Sequence, residues 1–565
     1  MSAAYRQIQR LPPPYVDASY TLGGRPLRRK KIPDQLLDVQ SQLLGIHRAS
    51  AVVLSIGNTF LRLRGMPALP RRLALLFDIQ STSSVANAIS KNSLKSSLLQ
   101  LECHFTWTLL KQHVDLDELE ETIGNQIEFL IKSNITNYNL LSYVCHLKNS
   151  NEDALRNLQK AEEEIKKNHP DEIARRSLVT WGNYAWIYYH MGRYEEAQTY
   201  VSKVENSCKA LSTTAQWKIQ LPEIYAEQGW SFLKFGRIYY ERAKKSFENA
   251  LEHEPNNPEF NTGYAIAMYR LEDYFHRQYE DESLSLKPLK RAVELNPKDT
   301  FIMALLALKL QDLKQADEGE NYIEEAMKKT PDLPYLLRYA AKFYRRKGEV
   351  DKALEILKKA LAVTPKSSFL HHQIGLCHRA KLLTLKKTAR YPPQEEVEEL
   401  LRLSIFHFKT ATEQKTKFFS AHIDLANMYA LGKRYEEAEE TFQKAFQINI
   451  LFDDDKQQLY YNYGNFQRFH MKSESEAIRA YVKGLKIEKE SYIRNSCRDA
   501  LKKLLEQRIQ RGLGGATDFG TLGLIHNLNG EKHEAIECYE KALALYPDNE
   551  EYLSALCELR LSISS

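Results

Sequence analysis

Long apolar runs are missing from this 565-residue chain. No stretch of about 18 consecutive apolar residues occurs, so no membrane-spanning helix is expected. Cysteine is sparse and unpatterned. The seven residues (Cys103, Cys145, Cys208, Cys377, Cys497, Cys538 and Cys557) form no CxxC pair and no even framework. They are expected to be reduced thiols of a cytoplasmic protein. Common catalytic motifs are absent as well: no G-x-S-x-G, no H-E-x-x-H and no Walker-type glycine loop. Cys103-His104 is expected inside a helix, where adjacent side chains diverge by about a hundred degrees. Cys103 then belongs to the core, and His371-His372 diverge for the same reason. Gly512–Gly515 is expected to be a turn between helices. Catalysis has little support, and the chain is not expected to be an enzyme.

The formal net charge is +6, but it is unevenly spread. Residues 1–85 hold twelve Lys/Arg against four Asp/Glu, which leaves 67 against 69 for the remainder. Overall basicity therefore gives no reason for the body of the chain to bind nucleic acid, although a locally charged groove is a separate matter. Residues 1–88 stand apart in composition. Leu11-Pro-Pro-Pro-Tyr15, Gly23-Gly24 and Arg28-Arg-Lys-Lys31 are turn, polyproline and charge-run signals, so this segment is expected to be a poorly ordered extension. Its motifs also fit a WW-domain ligand, a nuclear address or an Arg-rich transit peptide, though chance composition explains each and Pro12–Pro14 interrupt an amphipathic start.

What the rest of the chain has is a period. Pro297, Pro331 and Pro365 are each 34 residues apart, as are Ala326 and Ala360, Gly319 and Ala353, and Ala307 and Ala341. A 34-residue step marks stacked helix–turn–helix units of the tetratricopeptide type. The expected fold is all-α, a tetratricopeptide-repeat superhelix (an α-solenoid) over residues 89–565, closing around a basic groove. The pattern asks for small residues where the two helices of a unit touch. Trp181 to Val201, Gly229 to Pro255, Ala307 to Pro331, Ala341 to Pro365, Ala426 to Ala445, Gly464 to Tyr481 and Gly523 to Pro547 fit it. With weaker units these make roughly nine repeats. Two extra residues fall in the turn of the Gly229 unit, and the Gly464 unit is irregular. Insertions near 274–286 and 381–401 are expected as loops on one face or as lengthened helices.

In such solenoids the first helix of each unit lines the concave face. Aligning Ala341 to the small eighth position puts Tyr335, Arg338, Lys342 and Arg345 on one stripe, spaced by three, four and three. The next unit, aligned on Gly375, offers Phe369, His372, Leu376 and Arg379, with Gln373 alongside. Upstream, Lys234 and Arg270 sit near the ends of their helices, followed by Tyr240 in the first case and preceded by Tyr269 in the second. Arginine and lysine neutralise phosphates, and aromatic rings stack on unpaired bases. The stripe suits single-stranded RNA or DNA. A peptide groove fits it about as well, and a scaffold without a defined groove remains open. Glu118, Thr122 and Gln126 recur every four residues and share one polar helix face. That face is either plain solvent surface or a donor/acceptor row in which Glu118 holds a cation against a phosphate.

From about Ser93 the chain resembles the interferon-induced proteins with tetratricopeptide repeats. The segments that carry the likeness are Cys103-His-Phe-Thr-Trp107, Ser177-Leu-Val-Thr-Trp-Gly-Asn-Tyr-Ala-Trp186, Tyr339-Ala-Ala-Lys-Phe-Tyr-Arg-Arg346, His371-His-Gln-Ile-Gly-Leu-Cys377 and the tail Leu553 to Ser562. The tail and the Glu118–Gln126 helix look most like the fifth member, which senses 5′-triphosphate RNA. The resemblance implies an antiviral, non-enzymatic clamp that sequesters non-self transcripts by their triphosphate end. Glu118, Thr122 and Gln126 would line the triphosphate, with Mg2+ or Na+ beside Glu118. Lys234, Arg270 and Arg338 would contact phosphates. Tyr240, Tyr335, Tyr339, Lys342, Arg345, His372, Gln373 and Arg379 would follow the RNA path, with Phe369 and Phe418 as stacking supports. Where the family has a second aromatic two residues after Phe418, this chain has Phe419 and then Ser420, which puts the distal stacking contact in question. Transfer RNA or other cellular RNA is a further implied ligand. Innate-signalling or paralogous proteins are implied partners. The family starts near the equivalent of Ala88–Lys91, so residues 1–85 are expected to come from an upstream exon or a gene-model error. The competing expectation is a peptide-binding adaptor, but the usual chaperone-tail clamp uses lysine and asparagine, and the Tyr335–Arg345 stripe has no asparagine, which counts against it.

Overall fold

The computed structural model describes residues 91–129, 134–211, 221–275, 283–450 and 452–564. The 1–88 extension and part of the 274–286 insertion lie outside these residues. The described elements are helices, mostly in antiparallel pairs, and they form an all-α solenoid. None is long and apolar enough to cross a membrane. They group into two compact units divided between Pro255 and Asn256.

The proline step punctuates the pairs. Second helices end at Leu295, Lys329 and Val363, and Pro297, Pro331 and Pro365 each follow two residues later. A proline there cannot extend the helix, because it lacks the N–H and its ring clashes with the preceding turn. Pro255 after His253 and Pro547 after Leu545 repeat the device. Two first helices restart on side-chain caps: Asp299 accepts from the Phe301 and Ile302 amides, and Ser367 from Leu370. Gly348 closes Pro334–Lys347 in the left-handed conformation (φ 96°), which favours glycine.

Within a pair, a small residue admits a ring. A Cβ on Gly229 would lie 2.8 Å from the Phe247 ring, one on Gly375 2.7 Å from Phe408, and one on Gly464 2.5 Å from Tyr481. Those rings are almost wholly buried. Each contributes about 1.5–3 kcal/mol by leaving water.

The period breaks have local structural answers. The two extra residues of the Gly229 unit go into a 3₁₀ turn, Arg237–Tyr239; Tyr240, which the sequence puts in that turn, begins the next helix. The extra residue between Gly464 and Ala477 goes into a π turn, Gln467–Met471. The 381–401 insertion lengthens Ser368–Thr388 and Gln394–Gln414 to 21 residues each. A single helix, Tyr492–Gln510, stands between pairs.

One expectation is corrected. Cys103 and His104 lie in a turn, not a helix. The Thr106 hydroxyl donates to the carbonyls of Leu101 and Cys103 and accepts from the Cys103 amide, giving the backbone an alternative to helical bonding. Cys103 is fully buried, as expected of a core residue.

Because Tyr481 is fully buried and cannot swing away, Gly464→Val should destabilise the protein by about 1–3 kcal/mol through overpacking. Urea unfolding would show it; a variant as stable as the parent would mean that the ring does not set the helix spacing.

Candidate nucleic-acid interface

In the unit ending at Pro255, the expected phosphate ligand is built on helix Pro222–Phe235. Lys234 sits in its last turn, and its ammonium donates to the Asn137 side-chain oxygen on helix Ile135–Leu147. Asn137 in turn donates to Asn134 at 3.0 Å. Seven residues before Lys234, the buried Glu227 accepts from Asn139 at 2.8 Å. His104 links helix Pro222–Phe235 to helix Leu178–His190, with Nε2 3.0 Å from the Ser231 hydroxyl and Nδ1 3.0 Å from the Asn183 amide. Burial pushes the His104 pKa down to about 3, and the Lys234 cation adds to the effect although the Asn183 bond opposes it. The imidazole is therefore neutral next to that lysine. Tyr240 is buried at the start of the following helix.

Glu118, Thr122 and Gln126 lie on helix Leu116–Phe129 with Glu118 exposed and the other two half-buried. The Glu118 amide donates to Asp115, which caps the helix. Lys148 pairs with the flanking Asp117 and Glu120 at 2.7 and 2.6 Å. The three face residues supply a carboxylate, a hydroxyl and an amide carbonyl, all oxygen donors of the kind a hard cation takes. Among the described residues no group of three or more His, Cys, Asp or Glu converges as a metal cage. A cation at Glu118 would need oxygens from its ligand, which is how Mg2+ is commonly held beside phosphates.

In the unit beginning at Asn256, the stripe on helix Pro334–Lys347 comes together around a guanidinium. Arg338 lies 5.1 Å from the Tyr335 ring centre, 5.0 Å from Tyr339 and 3.9 Å from Phe369, and donates to the Tyr339 hydroxyl at 3.3 Å. Phe301 packs edge-on against Tyr335 and Tyr339, at 5.1 and 5.3 Å between centroids. Sequence reasoning missed Phe301, yet the signal was there. Phe301, Tyr335 and Phe369 are 34 residues apart and hold the same register position. Arg270 is half-buried on Pro258–Phe275 and Lys342 is 8% exposed.

One turn beyond Lys342, Arg345 is mostly withdrawn from solvent, and its Nε has no hydrogen-bond partner among the described residues. Burial pushes its pKa down to about 10. Arg379 and Arg346 push the same way, and Cys377 and Asp424 partly oppose them. On helix Ser368–Thr388, Arg379 and His372 share one carboxylate, Asp424 of helix Phe419–Leu431. Arg379 donates to one of its oxygens and His372 Nε2 lies 2.8 Å from the other. Burial pushes the Asp424 carboxyl up, but Arg379 and His372 outweigh it and hold it below the usual aspartate value. The His372 ring lies between Phe418 and Phe408, at 4.9 and 5.4 Å. Gln373 is buried beside it. Asp424 was not singled out from sequence; it stands 52 residues from His372, with no periodic signal to link them.

His371 turns away from Asp424. Its Nδ1 meets His407 Nδ1 at 3.0 Å, and His378 stacks on His407. Burial, then repulsion from His371 and His378, lowers the His407 pKa to about 4.

Tetratricopeptide repeat models match residues 178–207, 340–368, 419–449 and 519–549. Human protein IFIT1 homolog B is 49% identical over 460 residues, which is 80% of this chain and 97% of the relative. Human interferon-induced protein with tetratricopeptide repeats 2 is 42% identical over 462 residues, 80% of this chain and 96% of the relative. Among solved structures, the human IFIT1 dimer with m7Gppp-AAAA is similar at a TM-score of 0.71 and 47% identity, covering 80% of this chain and 100% of that one. The human IFIT1 dimer with PPP-AAAA is similar at 0.69 and 46%, with the same coverage.

The His407 shift has a pH consequence. The unfolded imidazole binds a proton near pH 6.5 and the folded one only near 4, so the stability it contributes is present above about 6.5 and lost as pH falls toward 4. His407→Leu should reduce the loss of stability between pH 7 and pH 5 by about 1 kcal/mol, after discounting for its partial exposure. Urea midpoints at the two pH values test this, and an unchanged difference would remove His407 from the acid response.

Proposed function

Because the chain belongs to the interferon-induced proteins with tetratricopeptide repeats, we propose that it is an antiviral RNA-binding protein and not an enzyme. It captures the 5′-triphosphate end of single-stranded RNA and sequesters non-self transcripts in the cytoplasm. The observation that carries the proposal is the Arg345 guanidinium. It is mostly buried, depressed in pKa and close enough to Arg379 and Arg346 to feel both charges, with its Nε unpartnered. Burying cations without full compensation is costly, and an anion entering the site removes that cost. A peptide ligand offers scattered carboxylates, whereas a nucleic acid brings one negative charge per nucleotide to a row of cations. The Arg338 cluster of rings fits the same ligand, since aromatic and guanidinium planes suit unstacked bases. The RNA in the solved human IFIT1 complexes is of this class.

In this proposal Lys234, Arg270 and Arg338 contact phosphates, and Glu118, Thr122 and Gln126 meet the triphosphate, with a Mg2+ or Na+ ion held against Glu118. Tyr240, Tyr335, Tyr339, Lys342, Arg345, Phe369, His372, Gln373, Arg379 and Phe418 serve the RNA path. Most of these contacts reach the sugar–phosphate backbone or a ring face, so binding is tolerant of sequence. Dimerisation or pairing with a paralogue is compatible with this role.

Lys234→Glu or Arg270→Glu should abolish capture of triphosphate RNA with helicity unchanged, a loss of about 2–5 kcal/mol. The decisive comparison is binding of the full chain to one RNA sequence carrying triphosphate, monophosphate, hydroxyl or capped ends. Equal affinity for all four would reject end recognition, preference for a capped end would reassign the ligand, and RNA loss on incubation would point to an enzyme.

A further inference from the structure

Asp424 is an odd residue to find among cations that are meant for phosphate. It is 6% exposed and accepts from Arg379 and His372 at once. Its two oxygens are therefore taken by one helix, Ser368–Thr388. Arg345, on the preceding first helix, lies close enough for Asp424 to raise and Arg379 to lower its pKa, yet its Nε keeps no partner. Arg346 is also near, but it is answered by Asp312 at 2.8 Å, so the remaining local charge count is two guanidinium cations against one carboxylate. A carboxylate in such a place weakens binding of any anion, so it needs a reason. Buried in this way, Asp424 holds Arg379 in a fixed position and cancels one of the two positive charges.

Resting on the RNA-binding reading above, we infer that Asp424 sets the charge of a phosphodiester subsite formed with Arg345 and Arg379. It leaves the subsite one net positive charge, matched to the single negative charge of an internal RNA phosphate rather than to a terminal triphosphate. Asp424 does not touch the ligand in this scheme. It is a positioning and specificity-determining residue, acting through Arg379 and through the field at Arg345.

The test is the salt dependence of binding, which counts phosphates neutralised and which a merely structural role would not move in opposite directions. For single strands the slope of log affinity against log salt changes by about 0.7 for each phosphate contact. With the full-length chain and a 5′-triphosphate oligoribonucleotide as probe, Asp424→Asn keeps the side-chain shape, with its oxygen accepting from Arg379 and its amide donating to His372 Nε2, and frees one positive charge. Its slope should steepen by about 0.7, equivalent to a further two- to threefold loss of affinity when salt rises about fourfold. Arg379→Gln should do the reverse, because Asp424 then neutralises Arg345. Combining Arg379→Gln with Asp424→Asn should take the extra slope away again. A free nucleoside triphosphate, which has no internal phosphodiester, should bind with a slope that none of these changes alters.

Slopes that stay fixed in folded variants, or that fall in both single variants, would overturn the charge-setting role while leaving RNA binding in place. If Asp424→Asn does not fold, Arg379→Gln alone still decides, since an unchanged slope there is equally fatal. Failure of the unmodified chain to bind the probe would instead remove the RNA-binding reading itself.

Discussion

In the helix pairs built on Gly229, Gly375 and Gly464, an aromatic ring of the second helix fills the space where the first helix has no side chain. Phe247, Phe408 and Tyr481 occupy these positions. The contact brings the helix axes close and commits one face of the first helix to its own partner. Stacking on the neighbouring pair commits a second face: on Pro334–Lys347, Leu336, Ala340 and Phe343 are fully buried, and the Phe343 ring lies against Gly319 of the preceding pair. What remains is a narrow stripe, and Tyr335, Arg338, Lys342 and Arg345 fall on it. Chemistry in this fold is confined to the residues that packing leaves over, which is why the register of the repeat matters more than its existence.

That confinement has an electrostatic consequence. Side chains on the stripe are half-buried, and a half-buried cation loses hydration that something must replace. Two solutions stand side by side in the unit beginning at Asn256. Lys309 and Glu272 form a closed pair at 2.8 Å, with Glu272 also accepting from the Ser285 amide at 2.8 Å. Every charge is answered within the protein, and the pair ties residues 283–285 to the helices. Around Asp424 the charges do not close. Arg379 is answered and Arg345 is not fully so. That imbalance is what separates the Asp424 cluster from a closed structural ion pair, although both use the same residue types at similar depth.

The legibility of the sequence follows from the same physics. Features repeated every 34 residues could be seen without coordinates: the helix-ending prolines, the small residues under the rings, and the Tyr335–Arg345 stripe. Breaks in the period could be located but not interpreted, since nothing local distinguishes a 3₁₀ turn at Arg237–Tyr239 from a π turn at Gln467–Met471. The Cys103-His104 segment was misassigned because helical spacing alone ignores the Thr106 hydroxyl, which competes for the backbone. The partners of the candidate ligands were illegible for another reason. Asn137 lies 97 residues from Lys234, and Asp424 lies 45 from Arg379. Neither separation is a multiple of the repeat, so no register argument reaches them.

The aromatic column sharpens what the stripe can do. Phe301, Tyr335 and Phe369 are presented by three successive first helices, and the guanidinium of Arg338 covers Phe369 at 3.9 Å. That ring face is therefore occupied by an arginine rather than open to a base. The arginine is enclosed by three rings and gives up little rotamer freedom when a ligand arrives, so its cost of ordering is largely met in advance. A guanidinium fixed in this way can pair with a phosphate through its edge while offering its plane to a base. Both contacts are indifferent to base identity. Sequence tolerance in such a site would then come from the guanidinium that the ring column holds, and selectivity would have to be supplied by charge and by the end of the RNA.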